Sequence, residues 1–221
     1  MKKFFFVRKV ESTLFHMKII CVGMNYASHN KEMFNSLIIK EPVIFLKSDV
    51  SLLKDGKPFF VPDFSSEIHY EAEIVVKINR LGKNIAEKFA RRYYDEVTVG
   101  IDFTARDLQR KLRKDGMPWE ISKAFDYSAV IGEFVSLENL GKDINNIAFY
   151  LNINGSKVQE GNTENMIFNV DEIIAYVSKF FTLKIGDLIY TGTPAGIGAV
   201  KVGDHLEGYI NSLKALDFFV R

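Results

Sequence analysis

The sequence contains a single cysteine, Cys21, in 221 residues. It can form neither an intrachain disulfide nor a multi-cysteine zinc site, so a reducing compartment is the default expectation. No stretch approaches the roughly 18 consecutive apolar residues of a membrane-spanning helix. The start, Met1-Lys2-Lys3-Phe4-Phe5-Phe6-Val7-Arg8, imitates a secretory signal. Its apolar run ends at Arg8, short of the roughly seven residues such a signal requires. A cytoplasmic protein is expected. Charge of one sign is also lacking: 29 Lys and Arg face 28 Asp and Glu, a net charge of +1. That balance argues against general nucleic-acid binding, which needs a strong positive field. Internal repeats, low-complexity tracts and Pro/Gly/Ser-rich linkers are missing as well, which favours one domain.

What remains is an ordinary globular composition, 47% hydrophobic and 26% charged. Residues 1–16 read as an extension and 17–221 as the domain. Ile19 to Val22, closed by Gly23, reads as a strand. Asn25 to Phe34 is too polar for a buried strand and reads as a short helix or loop. Pro42 to Lys47 is a strand. Asp55-Gly56, between Leu52-Leu53 and Phe59-Phe60-Val61, carries a hairpin signal. His69 to Ile78 and Val97 to Phe103 are strands. Asn84 with Glu87 resembles a capping box for a helix to about Asp95, and Thr104 with Asp107 another to about Lys114. Asn154-Gly155 is a second hairpin turn. Asn169 with Glu172 opens a helix whose Ile173, Ile174, Val177 and Phe181 share a face. Gly186-Asp187 and Gly203-Asp204 precede short strands. The sum is a β-rich α+β domain with few helices and mostly antiparallel strands.

Strand alternation puts Glu71 and Glu73 of His69-Tyr70-Glu71-Ala72-Glu73 on one face, with His69. In the next strand Val97, Val99, Ile101 and Phe103 form an apolar face, and Asp102 sits on the other. Three such acids brought together repel by roughly 3 kcal/mol per pair at about 5 Å. A cation or protons must then intervene. Oxygen-only ligands select a hard ion, Mg²⁺ or Mn²⁺. The plain alternative for Glu71 and Glu73 is a solvated edge.

His29 and Glu32 share a helical face, where a carboxylate can orient an imidazole as general base. Arg106 and Gln109 lie close in sequence to Asp102. Arg110, Lys111, Arg113 and Lys114 read as a solvated face. Lys123 is an ammonium placed to stabilise developing negative charge, or else a surface salt bridge. Thr191-Gly192-Thr193-Pro194-Ala195-Gly196-Ile197-Gly198 is neither a P-loop nor a dinucleotide fingerprint. Its N–H groups and Thr193 suit a carboxylate.

In order and combination these pieces resemble the fumarylacetoacetate hydrolase family, in its short acylpyruvase-like branch. The resemblance rests on Gly23-x-Asn25-Tyr26-x-x-His29-x-x-Glu32, Pro42-x-x-Phe45-x-Lys47, His69-Tyr70-Glu71-x-Glu73, Gly100-x-Asp102-x-Thr104-Ala105-Arg106-Asp107-x-Gln109, Lys123-x-x-Asp126 and Thr191-Gly192-Thr193-Pro194-Ala195-Gly196-x-Gly198. It covers the chain from Met17 onward. It implies a mixed β-roll, commonly a homodimer, with Glu71, Glu73 and Asp102 as Mg²⁺ or Mn²⁺ ligands. His29 and Glu32 are then the water-activating pair, and Lys123 stabilises an oxyanion or enolate. Gln109 and Thr193 contact substrate, with Lys47 and Arg106 as charge partners. Many members carry Arg where this chain has Met24.

The implied substrate is a small α-keto acid with a second carbonyl or carboxylate at the β position. The implied reaction is hydrolysis of a C–C bond in acylpyruvates, with oxaloacetate decarboxylation as a side activity. Tautomerisation or isomerisation of oxaloacetate or a hydroxy-dienedioate is the alternative on the same site. A catalytically silent metal-binding protein is the rival from another class.

Overall fold

The computed structural model describes residues 17–28 and 39–221. The proposed extension 1–16 and the pair His29 and Glu32 lie outside them.

The largest sheet follows the most apolar segments of the chain. Its strands run in the order Val43–Lys47, Ile19–Gly23, Leu188–Tyr190, Ala72–Ile78, Tyr94–Asp102, Ala129–Ile131 and Leu52–Leu53. Val135–Ser136 adds a further pairing to Tyr94–Asp102. Ile19–Gly23 runs parallel to Leu188–Tyr190, and Leu52–Leu53 parallel to Ala129–Ile131; the other pairings are antiparallel. A second, antiparallel sheet holds Ser156–Asn162, Ala148–Ile153, His205–Ile210 and Leu213–Phe219. A third joins Gly198–Ala199, Ile68–Tyr70 and Thr104–Ala105. The fold is therefore the β-rich mixed α+β roll expected.

The middle of the large sheet is buried on both sides, which is why Ile74, Val75 and Val76 read as one apolar run. Ile74 and Val76 face the main core with Val97, Val99, Ile101 and Phe103. Val75 faces a smaller cluster with Ile19, Cys21, Leu188 and Tyr190. Each fully buried aliphatic side chain is worth roughly 1.5–3 kcal/mol, so these two clusters hold the sheet rigid beneath the site. The helix Val170–Phe180 closes the main core with Ile173, Ile174 and Val177, and it has the expected capping box of Asn169 and Glu172. The Asn154-Gly155 hairpin also forms, with both residues at positive φ.

Four local expectations are corrected. Asp55 and Gly56 do turn with positive φ, but no hairpin results. Leu52–Leu53 pairs with Ala129–Ile131, whereas Phe59 bridges to Val220. The strand from His69 to Ile78 is interrupted at Glu71. Asn84 caps nothing: the helix is a single turn, Glu87–Ala90, behind Ala86, and a 3₁₀ turn precedes the strand that starts at Tyr94. Thr104 lies in a strand rather than at a cap, and Arg106–Lys114 starts after Ala105 without a side-chain cap. Asp107 instead accepts hydrogen bonds from Ser65 Oγ at 2.6 Å and the Ser66 and Leu108 amides. Tertiary partners outcompeted the local cap.

Candidate metal centre and its cavity

The break at Glu71 and the end of a strand at Asp102 are one feature. Ala72 pairs with Ile101 and Glu73 with Gly100. One step further the Asp102 amide donates to the Glu71 carbonyl at 2.9 Å. The three acids are thereby brought to one end of the central strand pair. Carboxylate oxygens of Glu71, Glu73 and Asp102 lie within 4.8 Å of one another, and all three residues are buried.

Such a cluster cannot stand uncompensated. Each pair of charges at this spacing costs about 3 kcal/mol at an effective dielectric of 20. Three buried cations offset the repulsion. Lys123 Nζ lies 2.7 Å from Glu71 Oε2 and 2.7 Å from Asp102 Oδ2. Lys47 Nζ lies 2.8 Å from Asp102 Oδ1. Arg106 pairs with Glu71 Oε1. Burial opposes the charge on Lys123, but Asp102 and Glu71 outweigh it and hold its pKa above the ordinary lysine value. The two carboxylates thus favour the charged form of Lys123.

Glu73 is treated differently. Among the described residues no cation contacts it. It accepts a hydrogen bond from the Gly192 amide at 2.7 Å. Burial, then Asp102 and Glu71, push its pKa well above the usual carboxylate range, and Gly192 only partly opposes them. A bound cation would relieve this excess. The donor set is oxygen only, which suits a hard divalent ion. The residues present fit such an ion on both counts.

A small cavity of about 30 Å³ opens onto the acids. Its polar lining includes Arg106, Gln109, Arg113 and Thr193, and its apolar lining Val22, Met24, Phe45 and Trp119. Gln109 Oε1 accepts from Arg106 Nη1 at 2.5 Å, which leaves the amide NH₂ as the donor it offers the cavity. Phe45 packs edge-on to Trp119, and Lys123 Nζ lies 5.2 Å from the Phe45 ring centre.

The structure thus brings together Glu71, Glu73, Asp102, Lys123, Lys47, Arg106, Gln109 and Thr193. His69 stands apart: its Nε2 lies 2.8 Å from Glu67 Oε1. Burial and the Arg106 charge hold its pKa below the usual histidine value, against the pull of Glu67.

Four residues of the site carry no individual role in the sequence. Arg113 lines the cavity, although it reads as part of a solvated face. The spacing of Arg106, Gln109 and Arg113 on one helix face was the available signal. Asn25 is fully used: its amide donates to Phe168 O and Thr191 O and accepts from the Phe168 amide. It pins the loop that carries Gly192. Gly192 itself has φ +99°, and a Cβ there would come within 2.7 Å of Asn25 Cβ. Gln159 sits behind the acids, and no local pattern marked it.

Fold and site together define a metal-dependent enzyme. A match to the fumarylacetoacetate (FAA) hydrolase C-terminal family spans residues 18–221, and the chain belongs to this family. It is 41% identical over 202 residues to the mitochondrial oxaloacetate tautomerase of Rattus norvegicus, covering 91% of this chain and 90% of that protein. It is also 41% identical over 197 residues to the mitochondrial oxaloacetate decarboxylase of Dictyostelium discoideum, covering 89% of each. The fumarylpyruvate hydrolase from Pseudomonas aeruginosa, solved in complex with Mn²⁺ and pyruvate, matches with a TM-score of 0.86 at 36% identity. That match covers 92% of this chain and 88% of the other.

Proposed function

We propose that this protein is a divalent-metal-dependent enzyme acting on small α-keto acids with a carbonyl or carboxylate at the β position. Oxaloacetate tautomerisation is its first reaction. The observation that carries the reading is the buried convergence of Glu71, Glu73 and Asp102 beneath a cavity lined by cations and donors. The likeness to oxaloacetate tautomerases supports that choice of reaction.

Glu71, Glu73 and Asp102 would hold Mg²⁺ or Mn²⁺. When bound, such an ion supplies Lewis-acid stabilisation to negative charge developing on the keto oxygen. Arg106 and Arg113 offer positive charge to a substrate carboxylate, and the Gln109 amide donates beside them. Lys123 holds Glu71 and Asp102 in place and adds positive charge next to the developing enolate. Met24, Phe45 and Trp119 contribute apolar surface to the same cavity. His29 and Glu32 supply the base.

A second reading is C–C hydrolysis of an acylpyruvate. The His29-x-x-Glu32 spacing and the likeness to a fumarylpyruvate hydrolase favour it. There the pair deprotonates the attacking water. Both reactions share one keto-acid site and differ only in the use of that pair. A cytoplasmic homodimer completes the proposal; fractionation and sedimentation test those two points.

One experiment tests the reading. The enol and keto forms of oxaloacetate are followed by absorbance, with Mg²⁺, Mn²⁺ or EDTA, beside acetylpyruvate and fumarylpyruvate. Metal-dependent enol loss without pyruvate release identifies a tautomerase. No metal-dependent turnover of any of these acids would sink the proposal.

A further inference from the structure

Gln159 lies on the strand Ser156–Asn162, outside the cavity wall, and is only 3% exposed. Its amide orientation is fixed by two main-chain groups. The Ala72 amide can only donate, and it meets Oε1 at 3.0 Å. The Pro194 carbonyl can only accept, and it meets Nε2 at 2.8 Å. The second hydrogen of Nε2 goes to Thr193 Oγ at 2.7 Å. The Thr193 hydroxyl then gives its one proton to the Ala72 carbonyl at 2.9 Å. Ala72 is the residue between Glu71 and Glu73. Both of its main-chain polar groups are thus held by a closed ring of hydrogen bonds that passes through Gln159 and Thr193.

We propose that Gln159 is a positioning residue for the metal centre. It locks the Ala72 main chain, and with it the relative placement of Glu71 and Glu73, and it sets the polarity of Thr193. The hydroxyl of Thr193 has no proton left for a substrate carboxylate. It faces the cavity only as an acceptor. The inference rests on the reading of Glu71, Glu73 and Asp102 as metal ligands. Groups that orient metal ligands commonly govern affinity by about 10–100-fold, even without touching the ion.

The test is Mn²⁺ affinity, measured directly by electron paramagnetic resonance, together with kcat and KM on the preferred keto acid. Q159M keeps the volume and removes every hydrogen bond. It is expected to weaken Mn²⁺ binding about 10–100-fold while the protein stays folded. T193V is expected to do likewise, and the double variant to be little worse than either, because both act through Ala72. Q159E keeps the acceptor for the Ala72 amide but loses the donors. Its affinity relative to wild type is expected to recover as pH falls and the new carboxyl gains a proton. Should Q159M fail to fold, Q159E gives the same answer. Mn²⁺ binding by the Gln159 variants within about threefold of wild type, or losses in Q159M and T193V that multiply independently, would overturn the inference alone. A wild-type protein that binds no Mn²⁺ would overturn the ligand reading beneath it.

Discussion

Lys47 holds Lys123 by its main chain. The Lys47 ammonium is bonded to the Lys123 carbonyl, and it also meets Ser128 Oγ at 3.0 Å and Asp102 at 2.8 Å. One lysine therefore positions the other, and both neutralise Asp102.

Replacing Lys47 by methionine keeps much of the volume but removes this ammonium. Asp102 then loses one of its two cations, and the Lys123 carbonyl loses a donor. The cost is expected to be about 3–5 kcal/mol of stability without divalent ions, as for other broken buried pairs. Urea unfolding in EDTA measures it; an unchanged midpoint would contradict the role assigned to Lys47.

Asp102→Asn removes the charge of a proposed ligand while preserving shape. It is expected to abolish Mn²⁺ binding and every activity on the keto-acid panel. An active, metal-free variant would refute the metal assignment.

His29→Ala separates acylpyruvate hydrolysis from oxaloacetate decarboxylation, while tautomerisation, which takes its base from the same pair, is expected to fall with the hydrolysis. Acylpyruvate hydrolysis is expected to disappear, because an attacking water must be deprotonated. Oxaloacetate decarboxylation is expected to persist in large part, since it needs no such water. Equal residual rates on the two substrates would show that the pair has no separate role in water activation.

Gly192→Ala tests the loop. The left-handed φ and the approach of Asn25 make any side chain there costly, about 1–3 kcal/mol in backbone strain. The displaced amide then leaves Glu73. A fall in Mn²⁺ affinity is expected beside the drop in melting temperature, and calorimetry with and without the ion reads both.

Asp107 gives a pH prediction away from the metal. Burial pushes its pKa up, but hydrogen bonds from Ser65, Ser66 and Leu108 outweigh burial and hold it at about 2, against a normal value of 3.8. A depressed carboxylate stabilises the fold above its unfolded pKa and loses that contribution as pH falls through the folded one. Wild type is therefore expected to exceed Asp107→Asn in stability at neutral pH. The gap should close between pH 3.8 and about 2. A gap that is constant with pH would refute the assignment.

The chemistry-bearing residues were more legible than the elements that carry them. Glu71, Glu73 and Asp102 stand out because acids interrupt apolar strands, and burial of those strands leaves them few places to go. The capping box at Asn169 and the turn at Asn154-Gly155 are local devices, and both formed. Asn84 and Thr104 carry similar local signals and failed. The strand at Tyr94 cuts one helix short, and pairing with His69 holds Thr104 in a strand. The contacts of Gln159 and Asn25 were invisible for another reason. Their partners lie 87 and 166 residues away at the most distant bonds to the site loop and Ala72, and no short pattern encodes such a reach.

Among the described residues, the strand Val43–Lys47 forms the margin of the large sheet, with main-chain pairing on one side only. Margins normally open first, and their amides exchange fastest. Here the last residue of the margin is Lys47, whose side chain is tied to Asp102, Ser128 and Lys123. Peeling that strand away and dismantling the charge cluster are a single event. Hydrogen exchange along Val43–Lys47 thus becomes a clock for the integrity of the buried charge cluster, ticking far more slowly than its place in the sheet suggests.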